Sequence, residues 1–372
     1  MKLSIIMHTY FAFTHIYNRV LSPIGITLFL LALSLHVSLG ADARVADRLV
    51  DDDSLYVSRR MKREERREEL RAKIDSAVTA NYYIVNYDTL YIIRPKEAWM
   101  LKARVNVSGS VITVKQRTDD NVGRGKLRSN YKATVSLGVN YRGITAGLAF
   151  NPAMFSGKER DFELNVNTYS NRYGLDVVYL RSKSLSGNTS LGSDRVFVEE
   201  GGVLMKMLNF NGYYAFNNRR FSYPAAFSQS YVQRRSAGSW LVGFSYLGGS
   251  MRTTAAKPAE MPDMRVYLGH FAVGAGYGYN WKVSKRMLLH VSALPTLVVL
   301  NRNNIELDGE KEKMQTDFPD AILTERVAIV YALDKKNFIG GTFVMNNSLM
   351  GDRNLDMDYS KWRARLFWGM RF

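Results

Sequence analysis

The chain has 372 residues, of which 46% are hydrophobic and 23% charged, and 51 Lys and Arg against 34 Asp and Glu give a formal net charge of +17. It has no cysteine, which excludes disulfides, thiolate metal sites and cysteine nucleophiles. A mean hydropathy of −0.20, with no long apolar run after the N-terminal region, excludes a bundle of membrane helices. It does not exclude strands that alternate lipid-facing and polar residues, and 22 Tyr, 18 Phe and 5 Trp would suit aromatic girdles at two membrane interfaces.

The start reads as an export signal. Arg19 precedes an apolar run over 24–35, and the small residues Ser38, Gly40, Ala41 and Ala43 offer cleavage sites. Residues 1–43 are therefore expected to be a signal peptide. A charged linker and helix are expected over 44–80. From 57 to 78 neither Gly nor Pro intervenes, and Arg60 with Glu64 and Glu69 with Lys73 stand four apart, which predicts a solvated helix.

From there to residue 372 the pattern changes to period two, and about twelve strands are predicted. They cover 98–108, 130–141, 144–150, 161–170, 173–180, 203–216, 239–247, 266–281, 287–299, 322–333, 338–346 and 360–372. The second is the cleanest, with Tyr131, Ala133, Val135, Leu137, Val139 and Tyr141 on one face and polar residues or Gly138 on the other. The sixth is ambiguous, because Lys206 shares a face with Leu204, Leu208 and Phe210. In the last, Trp362, Ala364, Leu366, Trp368, Met370 and Phe372 alternate with Lys361, Arg363, Arg365 and Arg371.

Connections alternate in length. Those at 142–143, 171–172, 282–286 and 334–337 are short, whereas 151–160, 181–202, 248–265, 300–321 and 347–359 are longer. Short periplasmic turns and long outer loops are the expected asymmetry of an outer-membrane barrel. The segment 217–238 breaks the rule, being long on the short-turn side. There Pro224 is expected to open a short helix, with Phe227 and Tyr231 on one face and Arg234 and Arg235 at its end, serving as a lumen plug, a gate or a cap over the lower mouth.

Two resemblances follow from these residues. The last strand, ending Leu366, Trp368, Met370, Phe372, is similar to the closing strand through which bacterial outer-membrane barrels address their assembly machinery. The runs 87–104 (YDTLYIIRPKEAWMLKAR), 137–152 (LGVNYRGITAGLAFNP) and 221–240 (FSYPAAFSQSYVQRRSAGSW) resemble domain of unknown function 4421. That is a group of predicted outer-membrane barrels of Gram-negative bacteria. This resemblance implies fold and location for residues 80–372; it implies no activity and no functional residue.

The residues themselves leave little chemistry. Histidines are few and scattered, so no metal is expected. Asp51, Asp52 and Asp53 read as a solvated acidic run. GAGYG over 274–278 lacks the strand-to-helix context of a phosphate loop and suggests close backbone approach within a strand. No cofactor is expected. His290 and Ser292 share a face of the ninth strand, with Asn301, Asn303 or Asn304 available as a third group, which keeps a lipid hydrolase as an alternative. His270 stands alone and reads as structural.

The best clue is basic. Lys102, Arg104, Lys132, Arg326, Lys361, Arg363, Arg365 and Arg371 fall on the polar sides of their strands. Arg or Lys facing lipid at the midplane costs about 2–4 kcal/mol each, so a lumen position is expected. Their field favours an anionic solute or a glycolipid phosphate, unless Glu163, Asp176 and Glu325 pair with them in a plugged barrel.

The expected protein is thus all-β: a transmembrane antiparallel up-and-down β-barrel of about twelve strands behind a signal peptide and a charged helix. Its expected partners are outer-membrane lipid and the barrel assembly machinery, with nucleic acid excluded, and its expected role is non-enzymatic transport or architecture in the envelope. A secreted soluble β-sandwich that binds a ligand is the third reading.

Overall fold

A computed structural model describes residues 53–118, 121–142, 144–150, 161–191, 194–313, 320–351 and 355–372. The expected signal peptide, most of the linker and the connection 151–160 lie outside the described residues. The chain divides into two units between Val85 and Asn86. In the first, helix α1 (Asp53–Tyr83) is longer than the charge pattern predicts. Met61 and Leu70 are exposed on it, and Lys73 Nζ donates to Glu69 at 2.7 Å. Among the described residues, no helix is long and apolar enough to cross a membrane.

The second unit is built on twelve long strands: β1 (Trp99–Thr118), β2 (Lys132–Tyr141), β3 (Ile144–Phe150), β4 (Phe162–Tyr169), β5 (Tyr173–Ser182), β6 (Val203–Ala215), β7 (Ala237–Thr253), β8 (Met264–Lys282), β9 (Met287–Asn301), β10 (Ala321–Ala332), β11 (Asn337–Gly351) and β12 (Leu355–Arg371). Consecutive strands are hydrogen-bonded neighbours throughout. β12 returns to β1 over a long antiparallel register, from Leu355↔Gln116 to Arg371↔Met100. The result is an up-and-down barrel.

Every predicted strand is present, but several of the long connections turn out to be ordered. β1 runs on beyond Ser108 and pairs with Asn121–Arg128. Ser186–Leu191 pairs with Asp194–Val198, and Asn304–Leu307 with Glu310–Lys313. A tilted span needs only about 9–11 residues, so strands as long as β1, β7 and β8 must project beyond the hydrocarbon.

The opposite end is tight. In the turn between β10 and β11, Asp334 accepts backbone N–H groups of Lys336 and Asn337, each at 2.7 Å, and the Asn337 amide at 2.9 Å. The bonds from Asn337 hold this carboxyl below the ordinary 3.8. Its contribution to stability is therefore complete above 3.8 and lost as pH falls through the lowered value. The unfolding midpoints of the wild type and Asp334→Ala are expected to converge on acidification and separate again above it.

The two faces of the wall differ sharply. Val105, Val135, Leu137, Leu164, Val242, Val291, Val327 and Leu366 are exposed on the outside, an arrangement that hydrocarbon satisfies and water does not. The inside is filled at three levels. Toward the long-connection end the inward positions are apolar and rich in methionine, with Met205, Met207, Met251, Met350 and Met357 packed with Leu247 and Val298. This corrects the simple expectation that apolar residues face lipid. It also resolves β6: Val203, Met205 and Met207 point inward, and Lys206 is exposed on the outer wall near the strand's end.

Close backbone approach in the GAGYG stretch is realised on β8. A Cβ on Gly276 would stand 2.1 Å from the Ala293 carbonyl oxygen of β9, and one on Gly274 equally close to that of Pro295. Gly276→Ala is expected to push these strands apart and cost about 1–3 kcal/mol, read as a lower urea midpoint of the refolded barrel.

Candidate functional site: a latched lumen

The segment between β6 and β7 folds up into the barrel. Ser222 is the N-cap of helix α2 (Tyr223–Phe227), accepting from the Ala225 N–H at 3.2 Å, and Pro224 sits in its first turn, where a missing N–H costs nothing. All five helical residues are buried. The helix stops early because Ser228 and Gln229 both donate to the Pro224 carbonyl and Gln229 turns to φ 57. The expectation that Tyr231, Arg234 and Arg235 continue it is thus corrected. Instead Val232–Gln233 bridges Ile92–Ile93, while Tyr231 takes the Arg94 guanidinium on its hydroxyl and over its ring. Arg220 and Arg235 lie over the Tyr91 ring at 5.0 and 5.9 Å.

A continuous hydrogen-bond chain ties this plug to the wall. Asn280 on β8 donates through Nδ2 to the Ser222 carbonyl (2.8 Å) and to Gln233 Oε1 (2.9 Å). Its Oδ1 can then only accept, so His290 Nδ1, 2.7 Å away, carries the proton. His290 Nε2 accepts from Ser292 Oγ at 3.0 Å, and Ser292 accepts from the Tyr223 hydroxyl at 2.8 Å. Phe221, Tyr223 and Phe227 pack their rings around the imidazole, with centroids 5.9, 4.8 and 5.1 Å away. Asn280, His290 and Ser292 are 0, 1 and 4% exposed.

The pair singled out in the sequence therefore has a third member, but it is Asn280 rather than Asn301, Asn303 or Asn304. The short turn that brings β8 beside β9 supplies it: the expected hairpin over 266–299 is the signal that sets Asn280 across from His290. His270, on the same strand, is fully buried opposite Asn301.

Lys102 donates to the Ser228 carbonyl and, at 2.5 Å, to Gln229 Oε1, and Arg371 donates to the Gln229 carbonyl at 3.1 Å, so both hold the plug. Arg326 pairs with Asp176 at 2.6 Å, and Lys361 with Glu163 at 2.7 Å, both across the interior. Arg363 donates to Asn165 (2.5 Å), Arg365 to Asn106 (2.6 Å) and Lys132 to the Asp161 carbonyl (2.9 Å). Arg104 keeps a buried Nε with no partner. Glu325 does not join this set. It shares the outer face of β10 with Val327 and Ile329 and accepts from Asn347 at 3.3 Å, because the strand period puts it opposite Arg326. Leu366, Trp368 and Phe372 are exposed on the outside of the wall beside Met370, and the Phe372 backbone exchanges hydrogen bonds with Trp99. Among the described residues no group of three or more His, Asp or Glu could hold a metal ion.

These features define a transmembrane antiparallel β-barrel whose interior is occupied by its own chain. The chain belongs to the family described as domain of unknown function (DUF4421), whose profile matches residues 86–372. No curated protein matches the sequence. Among solved structures it is similar to the outer membrane protease OmpT from Escherichia coli, at 7% identity over 75% of this chain and 97% of that one, with a TM-score of 0.41. The translocator domain of autotransporter NalP from Neisseria meningitidis gives 10% identity, 84% and 98% coverage and 0.29. Ail, the attachment invasion locus protein of Yersinia pestis, gives 7%, 72% and 97%, and 0.23. At such scores, function must be argued from this chain's own residues.

Proposed function

We propose that this protein is a closed barrel of the outer membrane, a stationary element of the envelope rather than an open pore. The observation that carries the reading is the plug: its backbone carbonyls at Ser222, Ser228 and Gln229 are each held by a buried wall residue. The methionine-rich cluster fills the other end, and two ion pairs cross the middle. On this proposal the plug lies at the periplasmic mouth and the hairpin extensions outside, which the asymmetry of connection length supports. In this reading Leu366, Trp368, Met370 and Phe372 meet lipid and, during insertion, the assembly machinery. The test is single-channel recording on the refolded protein in planar bilayers. No large, stable conductance steps are expected, and their regular appearance would sink the proposal.

One observation favours a second reading. Ser292, His290 and Asn280 have the order and spacing of a nucleophile, base and orienting group. Yet the serine also holds the Tyr223 hydroxyl and is sealed beneath aromatic rings, so we assign the trio to latching. Phospholipid hydrolysis by the purified barrel, abolished in a folded His290→Ala variant, would reverse that assignment.

A further inference from the structure

Four neighbouring strands each carry one cation at nearly the same height on the outside of the wall. Arg181 on β5 stands directly opposite Lys206 on β6, and Arg252 on β7 directly opposite Arg265 on β8. Arg252 is diagonal to Lys206, since Lys206 pairs with Ser250 and Leu204 with Arg252. Their sequence neighbours Leu180, Ser182, Met205, Met207, Met251 and Val266 are buried inside, which fixes the outward direction of all four.

Among the described residues, no carboxylate lies within ion-pair distance of Arg181, Lys206 or Arg252, all of which are exposed, and Arg265 reaches Glu306 only at 3.9 Å. Like charges facing each other across a ladder are destabilising, and cations on a lipid-facing wall add to that cost. A sheet built this way is satisfied when the countercharge arrives from outside. Apolar surface continues the row toward mid-membrane. Leu208 and Phe210 follow Lys206 on β6, and a groove of about 900 Å³ beside them is lined on the wall by Tyr246, Tyr267, Phe271 and Leu300 and on the hairpin 304–313 by Glu306, Lys311, Glu312 and Lys313. Cations above and the apolar, aromatic wall side of this groove, running on past them at Tyr246 and Phe271, match an amphiphile with a phosphorylated head and acyl chains.

We infer that this face binds a phosphorylated glycolipid of the outer leaflet. Its head-group phosphates lie against Arg181, Lys206 and Arg252, and its acyl chains run along Leu208, Phe210 and the Tyr246 groove. The inference rests on the reading that places the long connections outside the cell.

The test uses the full-length refolded barrel in a neutral maltoside, titrated with diphosphorylated lipid A, its dephosphorylated analogue and phosphatidylglycerol. The midpoint of thermal unfolding is the readout. Diphosphorylated lipid A is expected to raise it saturably. An Arg181→Gln, Lys206→Gln, Arg252→Gln variant should respond with an apparent affinity about a hundredfold weaker, since each basic residue at such a surface contributes about 1 kcal/mol. Without lipid the same variant should be as stable as the wild type or more so, because repulsion has been relieved; a merely structural role predicts the reverse. Equal stabilisation by the dephosphorylated analogue, an equal response to phosphatidylglycerol, or an unchanged response of the variant would overturn the inference. Should the triple variant fail to fold, Arg252→Gln alone decides between the same outcomes. Labelling of Glu260→Cys on intact cells by an impermeant maleimide tests the orientation separately. Its failure would strike the topology reading, while the lipid titration reports on the site.

Discussion

Asp176→Asn is expected to destabilise the folded barrel by about 3–5 kcal/mol, seen as a lower urea midpoint for loss of the compact, heat-modifiable form. Among the described residues Arg326 is the largest fully buried side chain, 1% exposed, and its Nη2 lies 2.6 Å from Asp176 Oδ2. Its Nε and Nη1 have no hydrogen-bond partner; the side chains of Tyr169, Tyr213 and Tyr223 surround the guanidinium, with the Tyr213 ring at 5.7 Å, and Ser292 stands directly opposite on β9. Tyr169 donates to the second oxygen of the same carboxylate. Asparagine keeps the shape and can still accept from tyrosine, but leaves the guanidinium charge enclosed without a counterion. The double change Asp176→Asn, Arg326→Met should recover most of the loss, because removing both charges of a buried pair costs far less than removing one. A double variant no better than the single would show that the pair's charge is not what matters.

The second large effect concerns the plug. Asn280→Ala removes the donor for the Ser222 carbonyl and Gln233 Oε1 and the acceptor for His290 Nδ1, three buried bonds at once. Each buried polar group left unmatched costs about 1–3 kcal/mol, so the closed state should lose enough to open at least about tenfold more often. The chain has no cysteine, which permits a clean measurement. Ala328 is 2% exposed and packs in the cluster around α2. An Ala328→Cys reporter should react with a small maleimide at least about ten times faster when Asn280→Ala is also present. Equal rates in both backgrounds would mean that the plug is held by its aromatic packing alone.

Much of the architecture was legible in the sequence because a strand's period is short and strict. The alternation in β2 and β12, and the short turns at Arg142 and Asn171–Arg172, are local signals that need no knowledge of partners. The eight basic residues could likewise be assigned to one side of their strands from the cost of the other. What stayed hidden depends on contacts between distant segments. The plug's ties to the wall are of this kind, as in the bond from Asn280 to the Ser222 carbonyl, whereas Asn280 and His290 face each other across the short β8–β9 turn and only their exact register was missing. The methionines at 205 and 207 went unassigned because an apolar side chain carries no label for lipid or interior, and Met251 fell in the expected connection 248–265 rather than in a strand. Glu325 was misread for a related reason: nearness to Arg326 in sequence means the opposite face in a strand. The early end of α2 depends on the left-handed turn at Gln229, a conformation with no reliable signature outside glycine and asparagine.

The plug's two ends run straight into adjacent paired strands, at Ala215 and Ala237. A displaced cork therefore cannot diffuse away. It stays tethered at the rim at a high effective concentration, so re-entry is a unimolecular step with no search. Any opening would be a brief excursion, and a partner seeking to prolong it would have to compete with a ligand that never leaves.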